Sequence, residues 1–177
     1  MNVDEMTRAL LGMPGALRSL VRSQPDEALV FREAPDTWNA IEVLCHVTDG
    51  EVHDWWPRMQ RILAGGERPF DPFDRTAGFT IYRGWTTVAL LDEFDELRHE
   101  NVRRVHALAL QPADLARTGL HPEFGRVTLA QLMACWVTHD LAHLAQISRV
   151  LTRYYGRDVG PWRKYFSLLN DWTSLDA

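Results

Sequence analysis

Residues 128–155 read TLAQLMACWVTHDLAHLAQISRVLTRYY, and this stretch decides the fold of the 177-residue chain. Leu129, Leu132, Met133, Trp136, Leu144, Ile147, Val150 and Leu151 recur at helical spacing, so one face of a long helix is buried. Thr128 followed three residues later by Gln131 is a capping box that opens the helix, and Gly156 closes it. At about 100° per residue, His143 falls within the apolar stripe and His139 on its flank. Imidazoles one turn apart can aim at one point, and neutral imidazole is a common transition-metal ligand. The plainer reading makes each a core histidine with its hydrogen bonds satisfied, and periodicity alone leaves both readings open.

Working outward, three further long helices are predicted. The first covers residues 4–22 and is interrupted or kinked at Met13-Pro14-Gly15. The second covers 38–64, after Pro35-Asp36-Thr37, and ends at Gly65-Gly66. The third covers 87–110 and closes before Pro112; a short fifth helix is predicted over 162–169. Strand-like alternation is almost absent, and His121-Pro122-Glu123-Phe124-Gly125 reads as a turn or short hairpin leading into the fourth helix. The fold class is therefore all-α: a four-helix bundle in a single domain, 1–177, with a long connection between helices 2 and 3. That connection, residues 65–85, contains Pro69-Phe70-Asp71-Pro72-Phe73; loops of this length in a compact bundle are uncommon and often functional. Its aromatics either wall a pocket or belong to a plain crossover.

Composition excludes several classes. Net charge is −5 and the basic residues are scattered, which leaves no nucleic-acid footprint. No segment approaches the roughly 18 uninterrupted apolar residues that cross a bilayer. The acidic N-terminus lacks the basic-then-apolar order of a secretion signal, so a soluble, cytoplasmic protein is expected. Cys45 and Cys135 both lie in apolar helical runs, where free cysteine behaves as a small hydrophobe. Seven tryptophans point to a bulky core or an aromatic-lined pocket.

The second helix complements the fourth. Glu42, His46, Asp49 and His53 fall within about 60° of one another on its wheel, flanked by apolar residues on both sides. This narrow polar strip is either solvated or faces a polar cavity inside the bundle, and the wheel does not rank His46 above His53. Asp140 lies near the centre of the fourth helix's apolar face, where an ionised carboxylate needs a partner. Two partners fit: the ring N–H of a metal-bound histidine on a facing helix, or a core Tyr, Trp or Arg. Asp49 and Gln146, each within a turn of a histidine, are candidates for contacts that support ligands or substrate. His99 and His106 sit off the third helix's stripe, among Arg98, Glu100, Arg103 and Arg104, and are read as solvated. His121 caps the fourth helix or faces solvent.

The chain resembles the DinB/YfiT-like superfamily of bacterial four-helix-bundle proteins. The stretches that carry the likeness run from Trp38 to His46, from Thr128 to Leu132 and from Trp136 to Ile147. His121-Pro122-Glu123-Phe124-Gly125 and Val159-Gly160-Pro161-Trp162-Arg163 add to it. The resemblance implies one divalent transition metal held by His46, His139 and His143; imidazole ligands suit zinc or nickel, and the wheel alignment of His53 with His46 makes it a candidate replacement or fourth ligand. The resemblance further implies a small-molecule substrate, a homodimer, and transferase chemistry on a low-molecular-weight thiol cosubstrate such as bacillithiol, mycothiol or glutathione. Two alternatives remain open: hydrolysis by a bound water, and a non-catalytic, damage- or stress-associated bundle that binds metal or a small ligand.

Overall fold

The structure, a computed structural model, describes residues 2–170 and residue 172; the other terminal residues of the expected 1–177 domain lie outside the described set. Each long helix is started by its own side chains. Asn2 with Glu5, Asn39 with Glu42 and Thr128 with Gln131 form capping boxes, and Thr86 caps through its hydroxyl. They open α1 (Val3–Val21), α3 (Ala40–Gly50), α6 (Thr87–Ala107) and α7 (Leu129–Gly156). A short α2 (Asp26–Leu29) precedes α3. After α3 the chain continues through one π-helical turn, Glu51–Trp55, into α4 (Trp56–Ala64), so α3 and α4 together make the second helix of the bundle. Between α4 and α6 lies α5 (Ala77–Ile81). Between α6 and α7, β1 (Thr118–His121) and β2 (Gly125–Thr128) form an antiparallel hairpin with Thr118 opposite Thr128. A 3₁₀ turn at Gly160–Tyr165 and α8 (Ser167–Asn170) follow α7.

The bundle is all-α apart from the hairpin. Helix α1 packs against α6 and α7, and α3 packs against the same two helices. The first and second bundle helices therefore stand on a diagonal rather than side by side. No helix among the described residues is long and apolar enough to cross a membrane.

Three predicted boundaries are corrected. Helix α1 runs unbroken through Pro14, where an interruption or kink was expected. Proline at this position leaves the carbonyl of Leu10, four residues earlier, without a helical donor. That carbonyl accepts instead from Arg98 Nη1 at 2.9 Å. Helix α6 ends at Ala107 rather than residue 110, because the backbone turns left-handed at Ala109 (φ 48°). The predicted helix over 162–169 divides into the 3₁₀ turn and α8, with extended Phe166 between them.

Two apolar clusters build the core. One gathers Met13, Leu17, Val43, Leu44, Leu90, Phe94 and Ile147; the other gathers Met6, Leu10, Trp55, Met59, Val102, Met133 and Trp136. Along the second, third and fourth helices of the bundle the change from one cluster to the other brackets buried polar residues: His46 and Glu51, Arg98, Asp140 and His143. A polar layer thus crosses the middle of the bundle.

The long connection is pinned at both ends. Phe70 is buried against Gly119, where a Cβ would stand 2.6 Å from its ring, and the Phe70 amide donates to the Leu120 carbonyl. Gly78 brings α5 onto α3 so closely that a Cβ there would lie 2.6 Å from the Cys45 carbonyl oxygen. The segment between these anchors passes over His46.

Candidate metal centre

His46, buried on α3, and His139 and His143, one turn apart on α7, converge in the polar layer. His139 Nε2 lies 3.0 Å from His46 Nε2 and 3.1 Å from His143 Nε2. The opposite ring nitrogens settle the tautomers. His46 Nδ1 donates to the Arg75 carbonyl at 3.0 Å, and His143 Nδ1 donates to Gln146 Oε1 at 2.8 Å. In the neutral rings the Nε2 atoms of His46 and His143 are therefore bare lone pairs, both aimed at His139. One proton on His139 Nε2 satisfies one of these contacts and leaves the other lone pair facing a nitrogen. A cation among the three nitrogens satisfies all of them, so the donor set fits a divalent transition metal.

Electrostatics keeps the ligands competent. Burial, then the neighbouring imidazoles, push the pKa of His46 down to about 3. Burial and His139 push that of His143 down to about 4. Both rings are neutral at neutral pH, the form that binds metal. His139 Nδ1 is buried with no hydrogen-bond partner among the described residues, and Asp140 Oδ1 stands 4.0 Å away, beyond hydrogen-bond reach.

Asp140 is thus held by Arg98 rather than by a histidine of a facing helix. Arg98 Nη1 and Nη2 reach its oxygens at 2.5 and 3.1 Å, and Nη2 also reaches Glu51 Oε1 at 2.7 Å. Trp136 Nε1 and Asn101 Nδ2 donate to the same Glu51 carboxylate. Burial alone lowers the Arg98 pKa, but Glu51 and Asp140 outweigh it and the net shift is upward. Arg98, Glu51 and Asn101 escaped the sequence reading, although a signal existed. Arg98 and Asn101 fall at helical spacing with Leu91, Phe94, Val102 and Val105, on the buried face of α6.

The polar strip of the second helix divides along its length. Glu42 caps α3 and pairs with Arg32; His46 and Asp49 are buried; the His53 side chain is 56% exposed. Asp49 accepts from His53 Nδ1 at 2.7 Å, and neither residue belongs to the three-histidine cluster. The π turn at 51–55 places Glu51, Asp54 and Trp55 inward. Pro57 lacks the N–H that an α-helical bond to the His53 carbonyl requires, which favours the wider turn. His99 and His106 are exposed. His121 Nδ1 accepts from the amides of Glu123 and Phe124 and closes the hairpin turn.

Aromatic rings wall the centre. Trp38 lies 5.0 Å from His46 and parallel to His143, Phe73 lies 5.6 Å from His46, and Trp55 meets His139 edge-on at 5.0 Å. Two of these walls come from the connections before α3 and before α5. The fold and the centre define a class: a four-helix bundle whose polar layer brings together three histidines able to hold a metal ion.

Within that class, the model of the DinB superfamily matches residues 9–147, and the chain belongs to this superfamily. A protein of Oceanobacillus iheyensis, provisionally named a metal-dependent hydrolase, is 22% identical over 152 residues, covering 85% of this chain and 87% of its own. Among solved structures, YfiT from Bacillus subtilis superposes with a TM-score of 0.74 at 22% identity, covering 87% of each chain. It is described as a probable metal-dependent hydrolase with an unusual four-helix bundle topology.

Proposed function

We propose that this protein is a cytoplasmic metal-dependent hydrolase of small molecules, with one zinc or nickel ion held by His46, His139 and His143. The observation that carries the reading is the convergence of three Nε2 atoms, two with their tautomers set by the Arg75 carbonyl and Gln146. A divalent ion on three neutral nitrogens supplies a Lewis acid and lowers the pKa of a water or thiol that it binds. The chain's own residues do the rest. Gln146 and the Arg75 carbonyl hold two rings in their ligating orientation, and Trp38, Phe73 and Trp55 exclude bulk water from one side of the centre.

The names given to the two relatives support water as the nucleophile. A low-molecular-weight thiol cosubstrate is the competing nucleophile, and a protein thiol is a poor one. Burial, then Glu42, push the Cys45 thiol up to about 11, and burial raises that of Cys135 as well.

Elemental analysis should find about one transition metal per chain in the wild type and a large loss in the His139→Ala, His143→Ala double variant. Equal metal content would overturn the centre. The loaded protein is then screened against activated esters and amides, with and without each biological thiol. Turnover without thiol, lost in the double variant, is expected. Turnover only with thiol would replace hydrolysis by thiol transfer, and retained metal without turnover would favour a binding role.

A further inference from the structure

Arg75, in the connection between α4 and α5, lies beside the three-histidine cluster. Its carbonyl accepts from His46, and its guanidinium lies over the Trp38 ring, 5.6 Å from the centroid. Trp38 in turn contacts His46 and stacks parallel to His143. The guanidinium is thus one aromatic ring away from the three Nε2 atoms, close enough that its positive charge disfavours protonation of both His46 and His143.

Other arginines of this region are neutralised. Arg58 pairs with Asp54, Arg61 and Arg68 pair with Asp71, and Arg32 pairs with Glu42. Arg75 is exposed and makes no ion pair within 4.0 Å among the described residues. A guanidinium stacked on an aromatic face keeps its in-plane N–H groups free, and that fork matches a carboxylate. Beside it, the half-buried rings of Trp38 and Phe73 both pack against His46.

We propose that Arg75, with Trp38 and Phe73, forms an anion subsite that selects substrates carrying a carboxylate next to an apolar or aromatic group. The carboxylate pairs with the guanidinium, the apolar part lies along the two rings, and the bond to be cleaved is presented to the metal centre. This deepens the hydrolase reading and rests on it for the last step. The binding step needs no metal.

The test is calorimetric titration with benzoate, using benzamide as the uncharged control, on metal-loaded and on chelator-treated protein. Wild type should bind benzoate in preference to benzamide in both forms. Arg75→Gln should weaken benzoate by about tenfold or more, the scale of one charge-assisted pair, and leave benzamide unchanged. Arg75→Lys, which keeps the charge and loses the fork, should fall between. Equal benzoate affinity in wild type and Arg75→Gln would overturn the subsite, as would failure of wild type to discriminate benzoate from benzamide. Because the chelator-treated arm needs no metal, failure of the metal reading leaves this result interpretable.

Discussion

At the scale of single residues, charge bookkeeping is the most informative observation. Arg98 is fully buried and faces two buried carboxylates, Glu51 and Asp140, so a surplus negative charge lies in the layer that holds the histidines. Arg98 also takes the Leu10 carbonyl. Removing it strands two acids in a medium where an unpaired charge is very costly. Arg98→Ala should therefore lose about 3–5 kcal/mol of stability, the range for breaking a buried pair, measured by urea unfolding. A loss under about 1 kcal/mol, the scale of an exposed pair, would show that water reaches this cluster. Asp140→Asn separates two roles. Asp140 bonds Arg98 and stands 4.0 Å from the His139 ring nitrogen. Its loss should lower stability while metal affinity changes only a few-fold; a drop of about 10- to 100-fold in a metal titration would show that Asp140 supports a histidine of the centre.

At the scale of elements, the long connection between the second and third helices assembles the centre. Gly78 sets its height above α3. Gly78→Ala drives a methyl to 2.6 Å from the Cys45 carbonyl and should cost about 1–3 kcal/mol as overpacking. The displaced segment carries the Arg75 carbonyl, so metal affinity should fall together with stability. Gly12→Ala, where a Cβ meets nothing within 4 Å on an exposed helical position, is the control and should be neutral or stabilising. Metal affinity unchanged in Gly78→Ala would separate α5 from the centre. The same element shows where sequence reading stops. Local signals sufficed for the four long helices, since each carries its own cap and apolar stripe. The likeness to known bundles brought forward His46, which the wheel could not rank above His53. The unbroken course through Pro14 was not legible, because the acceptor it frees is used by Arg98, 88 residues along the chain. Nor was the Arg75 carbonyl, since any residue type supplies a carbonyl and only the tertiary path over α3 brings this one to His46. Arg98 was legible in principle, but a charged residue on an apolar stripe reads as core only once its two acids are known.

At the scale of the whole molecule, Tyr155, Trp162, Tyr165, Phe166 and Leu168 are exposed at and beyond the end of α7. We propose a homodimer that covers such apolar surface; sedimentation showing a monomer at micromolar concentration would exclude it. The polar layer makes a further demand on the whole fold, through pH. His46 and His143 have folded-state pKa values of about 3 and 4, below the ordinary 6.5 that each regains on unfolding. Between those limits the unfolded chain binds more protons than the folded one, so stability rises with pH across that window. The contribution is complete above about pH 6.5 and drains away as the solution is acidified toward 4. Chelator-treated protein should therefore melt progressively lower from pH 7 to pH 5, a range in which most ordinary carboxylates remain ionised. Replacing both histidines with asparagine removes the two titrating groups and should flatten that slope. Saturating zinc or nickel should raise the melting temperature of the wild type at pH 7, since an ion that binds only the folded state stabilises it by mass action, about 2.7 kcal/mol at 100 times its Kd. A melting curve independent of pH over this range, or the same slope in the double asparagine variant, would show that the histidines are not held neutral by their burial.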